Sequence, residues 1–229
     1  MQKNAERVYD QILAKHDLGA LTPIAGDYTG IFLPVVPADT APSTRRLMVV
    51  GQETRQWLGT LTHWIEASAE GKAEEYIERA FRGYRQTRRM PPSTSRFLQF
   101  LGLAEQRLQL PAYSVQWGNL IACAYRRGSP SKRPWAELEP LLELSYDLLA
   151  AQIRMFQPEA ILFTTGPGYD RLIKQFSMRF GGYSNSMVME PRRLWAFRID
   201  GVPCFRTTHP RYAPGAATRD RALTAIAAL

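Results

Sequence analysis

Short apolar runs that stop at a glycine or a polar loop alternate along this chain with longer segments of helical period. "RLMVVGQE" and "AILFTTGPG" read as buried strands running into glycine loops, and "YSVQWGNLIAC" as strand-like with a loop after it. Helical patterns occupy residues 3–16, where Val8, Ile12 and Leu13 share a face, and then 61–87 and 93–108. In the last of these Phe97, Phe100, Leu101, Leu103 and Leu108 recur at helical spacing behind a Ser93 or Thr94 cap. Further helices are expected over 137–156, its start blurred by Pro140 and its stop marked by Pro158, over "YDRLIKQF", and over about 217–228. "LWAFRIDGVPCFRTT" reads as two strands joined by a tight Asp200-Gly201 turn. Pro34, Pro37 and Pro42 keep the stretch before the first strand irregular. Strands alternating with helices predict an α/β fold, a three-layer α/β/α sandwich around a mostly parallel sheet. The 229 residues, with no internal repeat, suit a single domain over 1–229.

A 45% hydrophobic content supports a proper core and argues against disorder. No apolar run approaches the roughly 18–20 residues that cross a bilayer, so no membrane partner is expected. The opening "MQKNAERVYDQILAKHD" lacks the apolar centre of a signal peptide, so the cytoplasm is the expected location. Cys123 and Cys204 are the only cysteines, too few to hold a zinc or iron–sulfur site alone, and a reducing compartment argues against a disulfide. Lys and Arg number 29 against 21 acids, a net +8 that is mostly arginine. Arginine forks match phosphate oxygens, which points to a nucleic-acid partner; simple solubility is the other reading. "TTGPGYD" lacks the lysine and glycine spacing of a nucleotide loop, which excludes an NTPase.

In open α/β sheets the ligand sits beyond the carboxyl ends of the strands. Here those loops are "GQETRQW", "GNLIACAYRR", "TTGPGYD" and "THPRYAP", which bring Gln52, Glu53, Asn119 and His209 to one edge. Each has a plainer reading: a strand-end histidine, a solvated loop acid, an asparagine bonded to local backbone. Asp27, in "AGDYTG", is a rival carboxylate. Arg79, Arg82, Arg85 and Arg89 lie near one helical face with Phe81 and Tyr84 interleaved, as a DNA-backbone patch or a solvated face over core aromatics. Arg126, Arg127, Lys132 and Arg133 follow the Asn119 loop and are candidates for phosphate contacts.

Taken in order, the four loops resemble those of the uracil-DNA glycosylase superfamily, over roughly residues 45–225. "VVGQETRQW" is similar to a strand followed by Gly-Gln-Asp-Pro-Tyr-His. "GNLIACAYRRG" is similar to the Asn-Ile-Val-Lys-Cys-Arg strand end of one branch. "QPEAILFTTG" resembles Lys-Pro-Lys-x-Ile-Leu-Leu-Leu-Gly, and "THPRY" resembles His-Pro-Ser. The resemblance implies that superfamily's fold and cleavage of the bond between a base and its deoxyribose, with the base flipped out of DNA. It implies Glu53 as the carboxylate that stabilises the sugar cation and orients water, and His209 as the donor to the base carbonyl. It implies Asn119 on the Watson–Crick edge, with Gly51 and the Gln52 backbone lining the base pocket. Phe32 and Trp57 are candidates for the ring that stacks on the base. No metal or organic cofactor is implied, and without a lysine in the matched loops lyase chemistry is not expected.

The departures bear on the substrate. Glu53 stands where the best-known branch has Asp, and Thr54 where it has Pro. Arg55 replaces a tyrosine that, in the family, packs against the pyrimidine C5 and excludes thymine. Thr54, Arg55 and Gln56 leave a polar, open C5 side suited to a hydroxylated substituent. Arg211 replaces the serine after His-Pro and is expected, with Arg126, Arg127, Arg82 and Arg85, to bind phosphate. The expected activity is a monofunctional glycosylase for C5-modified cytosine, such as the glucosylated hydroxymethylcytosine of phage DNA. Uracil excision in base-excision repair and a non-catalytic DNA-binding protein on the same fold are the alternatives.

Overall fold

The expected strands form, and their burial explains their composition. In the computed structural model, which describes residues 2–35, 45–89 and 95–229, β1 (Leu47–Gly51) and β3 (Ala160–Phe163) are buried at every position. A strand covered on both faces has no solvent side, so its sequence is continuously apolar instead of alternating. β2 (Gln116–Asn119) is also wholly buried. β5 (Leu194–Ile199) and β6 (Val202–Arg206) make the expected hairpin, closing on the Ile199–Val202 pair. Its two turn residues, Asp200 (φ 47°) and Gly201 (φ 78°), are both left-handed. That is the two-residue turn whose twist matches the flanking strands, and Asp-Gly tolerates it.

One strand, β4 (Tyr183–Glu190), has no counterpart among the sequence expectations. It is the edge strand, exposed from Ser184 to Met189 and bulged in its pairing with β5. With no buried face, it carries neither an apolar run nor clean alternation. The sheet order is β2-β1-β3-β6-β5-β4. β1–β3 and β3–β6 pair parallel, whereas β6–β5 and β5–β4 pair antiparallel. Thus β1, β3, β6 and β4 run one way and β5 the other. The fold is α/β, with a mostly parallel six-stranded sheet flanked by helices.

The helices are α1 (Gln2–Lys15), α2 (Thr62–Ala69), α3 (Ala73–Arg89), α4 (Arg96–Arg107), α5 (Trp135–Phe156), α6 (Asp170–Arg179) and α7 (Ala216–Ala227). The single helix expected over 61–87 is two, interrupted by a turn at Gly71. The buried face of α1 is Ala5, Tyr9 and Leu13, with Val8 at its half-exposed margin. α4 is capped by Ser95, whose Oγ accepts from the Leu98 N–H at 3.3 Å. Ser93 and Thr94, like Pro37 and Pro42, lie outside the described residues. α5 starts two residues earlier than expected, directly after Pro134, and contains Pro140.

Contacts group the chain into two compact units of three segments each: Met1–Ala38, Glu53–Thr87 and Asn119–Met155, and Asp39–Gln52, Arg88–Gly118 and Phe156–Leu229. In the first, Tyr9 packs edge-on against Phe81 at 5.8 Å, and Phe32 against Tyr84 at 6.0 Å. The second contains the sheet, with β2 up to Gly118.

Both cysteines are fully buried. Burial disfavours the thiolate, pushing Cys123 up to about 12 and Cys204 higher still. Since the thiolate is the reactive form, native protein is expected to resist thiol reagents at mildly alkaline pH and to label at both cysteines once denatured. Counting labelled thiols by mass spectrometry checks this; rapid double labelling of native protein would contradict it. Among the described residues no helix is long and apolar enough to cross a membrane. Nor, among them, is any group of three or more His, Cys, Asp or Glu placed to hold a metal ion.

Candidate functional site

Strand order sets which loops are neighbours. β1, β3 and β6 are consecutive and parallel, so their carboxyl ends share one edge of the sheet, and β2, ending in Asn119, lies next to β1. Backbone bonds extend the pairing past the strands: Thr164 N–H donates to Val50 O, and Thr207 N–H to Phe163 O, both at 2.8 Å. Gly166 N–H donates to Thr207 O at 2.9 Å, and Gln52 Nε2 to Thr165 O at 2.7 Å. The Gln52 side chain therefore ties the first loop to the third, beside buried Gly51. Thr165 and Thr207 are buried beside these bonds, and among the described residues their hydroxyls find no hydrogen-bond partner.

His209 stands three residues past the end of β6 and is half-buried, with Pro210 buried after it and Arg211 exposed. The Arg211 N–H donates to His209 Nδ1 at 3.1 Å. A neutral imidazole has one acceptor and one donor nitrogen, so an N–H on Nδ1 assigns the proton to Nε2. The loop bends back through Tyr212 N–H to His209 O at 2.9 Å and Gly215 N–H to Tyr212 O at 3.0 Å. With Nδ1 accepting at the end of a strand, a neutral His209 ring carries its proton on Nε2.

In the first unit, Asn119 is buried, and its Nδ2 donates to Thr54 Oγ1 at 2.6 Å. Thr54 orients this amide; nothing in the sequence signals that partnership. Glu53 is half-buried and Arg55 exposed. Gln56 (φ 56°) and Leu58 (φ 49°) then take left-handed conformations that side chains disfavour. Between them Trp57 is buried, with Nε1 donating to Ile31 O at 3.1 Å and its ring 4.9 Å from Phe32. Burying that indole offsets the backbone cost and fixes the loop that carries Glu53. Both stacking candidates, Phe32 and Trp57, are therefore core residues of this unit, 1% and 5% exposed.

The basic residues separate by environment. Phe81 and Tyr84, readable either as part of a DNA-facing stripe or as core aromatics, are buried. Tyr76, Ile77, Ala80, Phe81, Tyr84 and Arg88 form the buried stripe of α3, and the helical spacing reports that core face. Arg79 and Arg82 line a groove of about 350 Å³ that also holds Glu66, Glu70, Glu75 and Glu78, so acids offset their charge. Arg85 donates to Gln2 Oε1 at 3.1 Å. Arg127 is ion-paired with Asp27, which accounts for the rival carboxylate. Arg133 binds Glu137 through two nitrogens at 2.9 and 2.8 Å and lies over the Tyr125 ring. Arg126 and Lys132 are exposed, with Arg126 Nη1 on Gly26 O at 3.1 Å. In comparisons with known proteins, no family model matches the chain and no curated protein matches it.

Proposed function

We propose that this chain is a monofunctional DNA glycosylase of the uracil-DNA glycosylase-like fold, acting on C5-modified cytosine such as glucosylated hydroxymethylcytosine. The observation that carries the reading is the Arg211 N–H on His209 Nδ1 at 3.1 Å, which commits the ring to donating from Nε2. A neutral donor is what a departing base needs: as the N1–C1′ bond breaks, its electron pair moves onto the base and charge builds on O2. His209 stabilises that oxygen. The sugar is left as an oxocarbenium ion, which the Glu53 carboxylate stabilises while accepting a proton from the attacking water. Water oxygen bonds to C1′ as its proton passes to Glu53; the base leaves as an anion and takes a proton from solvent, so the products are the free base and an abasic site. Asn119, oriented by Thr54, reads the Watson–Crick edge. Exposed Arg55, with Thr54 and Gln56, supplies polar groups for the C5 substituent, and exposed Arg211 and Arg126 supply cations for phosphates. A role in defence against modified phage DNA follows from that substrate class.

The test uses three matched duplexes, carrying uracil, hydroxymethylcytosine or glucosylated hydroxymethylcytosine. Each is incubated with the protein and treated with alkali, which breaks strands at abasic sites. Breaks in a C5-modified duplex and not in the uracil duplex are the expected result. Breaks with uracil alone would reassign the protein to uracil repair. No breaks in any would favour a DNA-binding protein without catalysis.

A further inference from the structure

One buried cation has no part in the chemistry above. Arg219, on α7 ten residues past His209, is 8% exposed. Its Nη1 donates to Thr208 Oγ1 at 3.1 Å, to His209 O at 3.2 Å and to Tyr212 O at 2.9 Å. Among the described residues only these neutral acceptors hold the guanidinium, and burial alone pulls its proton affinity down. A buried charge held only by dipoles is costly and is kept where the acceptors must be fixed. The chain closes tightly around it: a Cβ at Gly215 would lie 2.0 Å from Thr208 Oγ1 and 3.0 Å from Arg219 Nη1.

The two carbonyls that Arg219 holds bracket the part of the loop that sets the imidazole. Between His209 O and Tyr212 O lie Pro210 and Arg211, and it is the Arg211 N–H that occupies His209 Nδ1. We propose that Arg219 is a positioning residue for the reaction, holding this loop so that the His209 ring keeps its Nε2–H tautomer and its aim. The proposal rests on the reading of His209 as donor to the departing base. Nη1 carries two hydrogens for three acceptors, whereas a lysine ammonium carries three. Lysine should therefore replace Arg219 here, unlike at sites where the guanidinium fork is used.

The experiment compares wild type with Arg219→Met, Arg219→Gln and Arg219→Lys. The first readout is the long-range proton–nitrogen NMR spectrum of the His209 ring, assigned by difference from His209→Ala. The second is single-turnover base release from C5-modified duplex, with DNA affinity measured alongside. Wild type and Arg219→Lys are expected to show the single Nε2–H tautomer, with release by Arg219→Lys within about tenfold of wild type. Arg219→Met and Arg219→Gln are expected to show mixed tautomers. Their release should fall roughly a hundredfold, the size of effect an ångström of misplacement has, with DNA affinity within about threefold. If Arg219→Met does not fold, Arg219→Gln decides. A single Nε2–H tautomer and full rate in the neutral variants would overturn the proposal, as would mixed tautomers in Arg219→Lys. If wild type releases no base, the glycosylase reading fails, and the ring spectra still decide whether Arg219 holds His209.

Discussion

Glu53→Gln and His209→Ala are each expected to stop base release while leaving the protein bound to DNA. Glu53→Gln keeps the size of the side chain and removes its charge, so the sugar cation loses its counter-ion and water its proton acceptor. A positioned general base contributes ~10²–10⁴ in rate, and the loss should fall in that range. His209→Ala removes the Nε2–H, and losing one such donor costs ~10²–10³. The fold should tolerate both changes. Glu53 and His209 are only half-buried, and buried Pro210 with the Tyr212-to-His209 backbone bond keeps the last loop in place. Single-turnover release and fluorescence anisotropy on the same duplex separate chemistry from binding. Release within about threefold of wild type in either variant would remove that residue from the mechanism.

The second large effect concerns stability. Arg88 and Glu105 form a buried ion pair at 2.8 Å, with side chains 5% and 9% exposed. The pair clasps the backbone of one residue on both sides: Glu105 Oε1 also accepts from Val115 N–H, and Arg88 Nη2 also donates to Val115 O, both at 3.2 Å. Val115 leads directly into β2, the strand that ends in Asn119. Glu105→Ala leaves the guanidinium buried without its counter-ion and the Val115 N–H without its acceptor. Breaking a buried pair on one side costs ~3–5 kcal/mol. Glu105→Ala should therefore lose about that much in denaturant unfolding. Replacing both residues by apolar ones should recover much of the loss. A loss below about 1 kcal/mol would show that the pair is not what anchors the start of β2.

What was legible in the sequence follows from burial. β1 and β3 have every position buried, so their runs stand out, and the Asp200-Gly201 turn shows because few residue pairs accept two left-handed conformations. β4 was not legible because pairing on one side, with exposed side chains, demands no pattern. The arginine and aromatic stripe of α3 could be read two ways, because 3.6-residue spacing describes a core face and a charged face equally well. The α3 aromatics belong to the core face. Loop ends holding Gln52, Glu53, Asn119 and His209 were legible from strand boundaries alone. Their partners were not. Thr54 on Asn119, Gln52 on Thr165 and Arg219 under His209 are contacts between segments distant in sequence or hidden in a helix of ordinary composition. "GAATRDRAL" looks like one more surface helix, and nothing in it separates buried Arg219 from exposed Arg221.

The proposed chemistry has one direct consequence, the appearance of a free base. Wild-type protein incubated with a duplex carrying glucosylated hydroxymethylcytosine should release the intact modified base, detected by mass spectrometry. An equal amount of abasic site should accumulate, with strands unbroken until alkali is added. Binding of that duplex and of the uracil duplex with no base released from either would contradict the glycosylase reading.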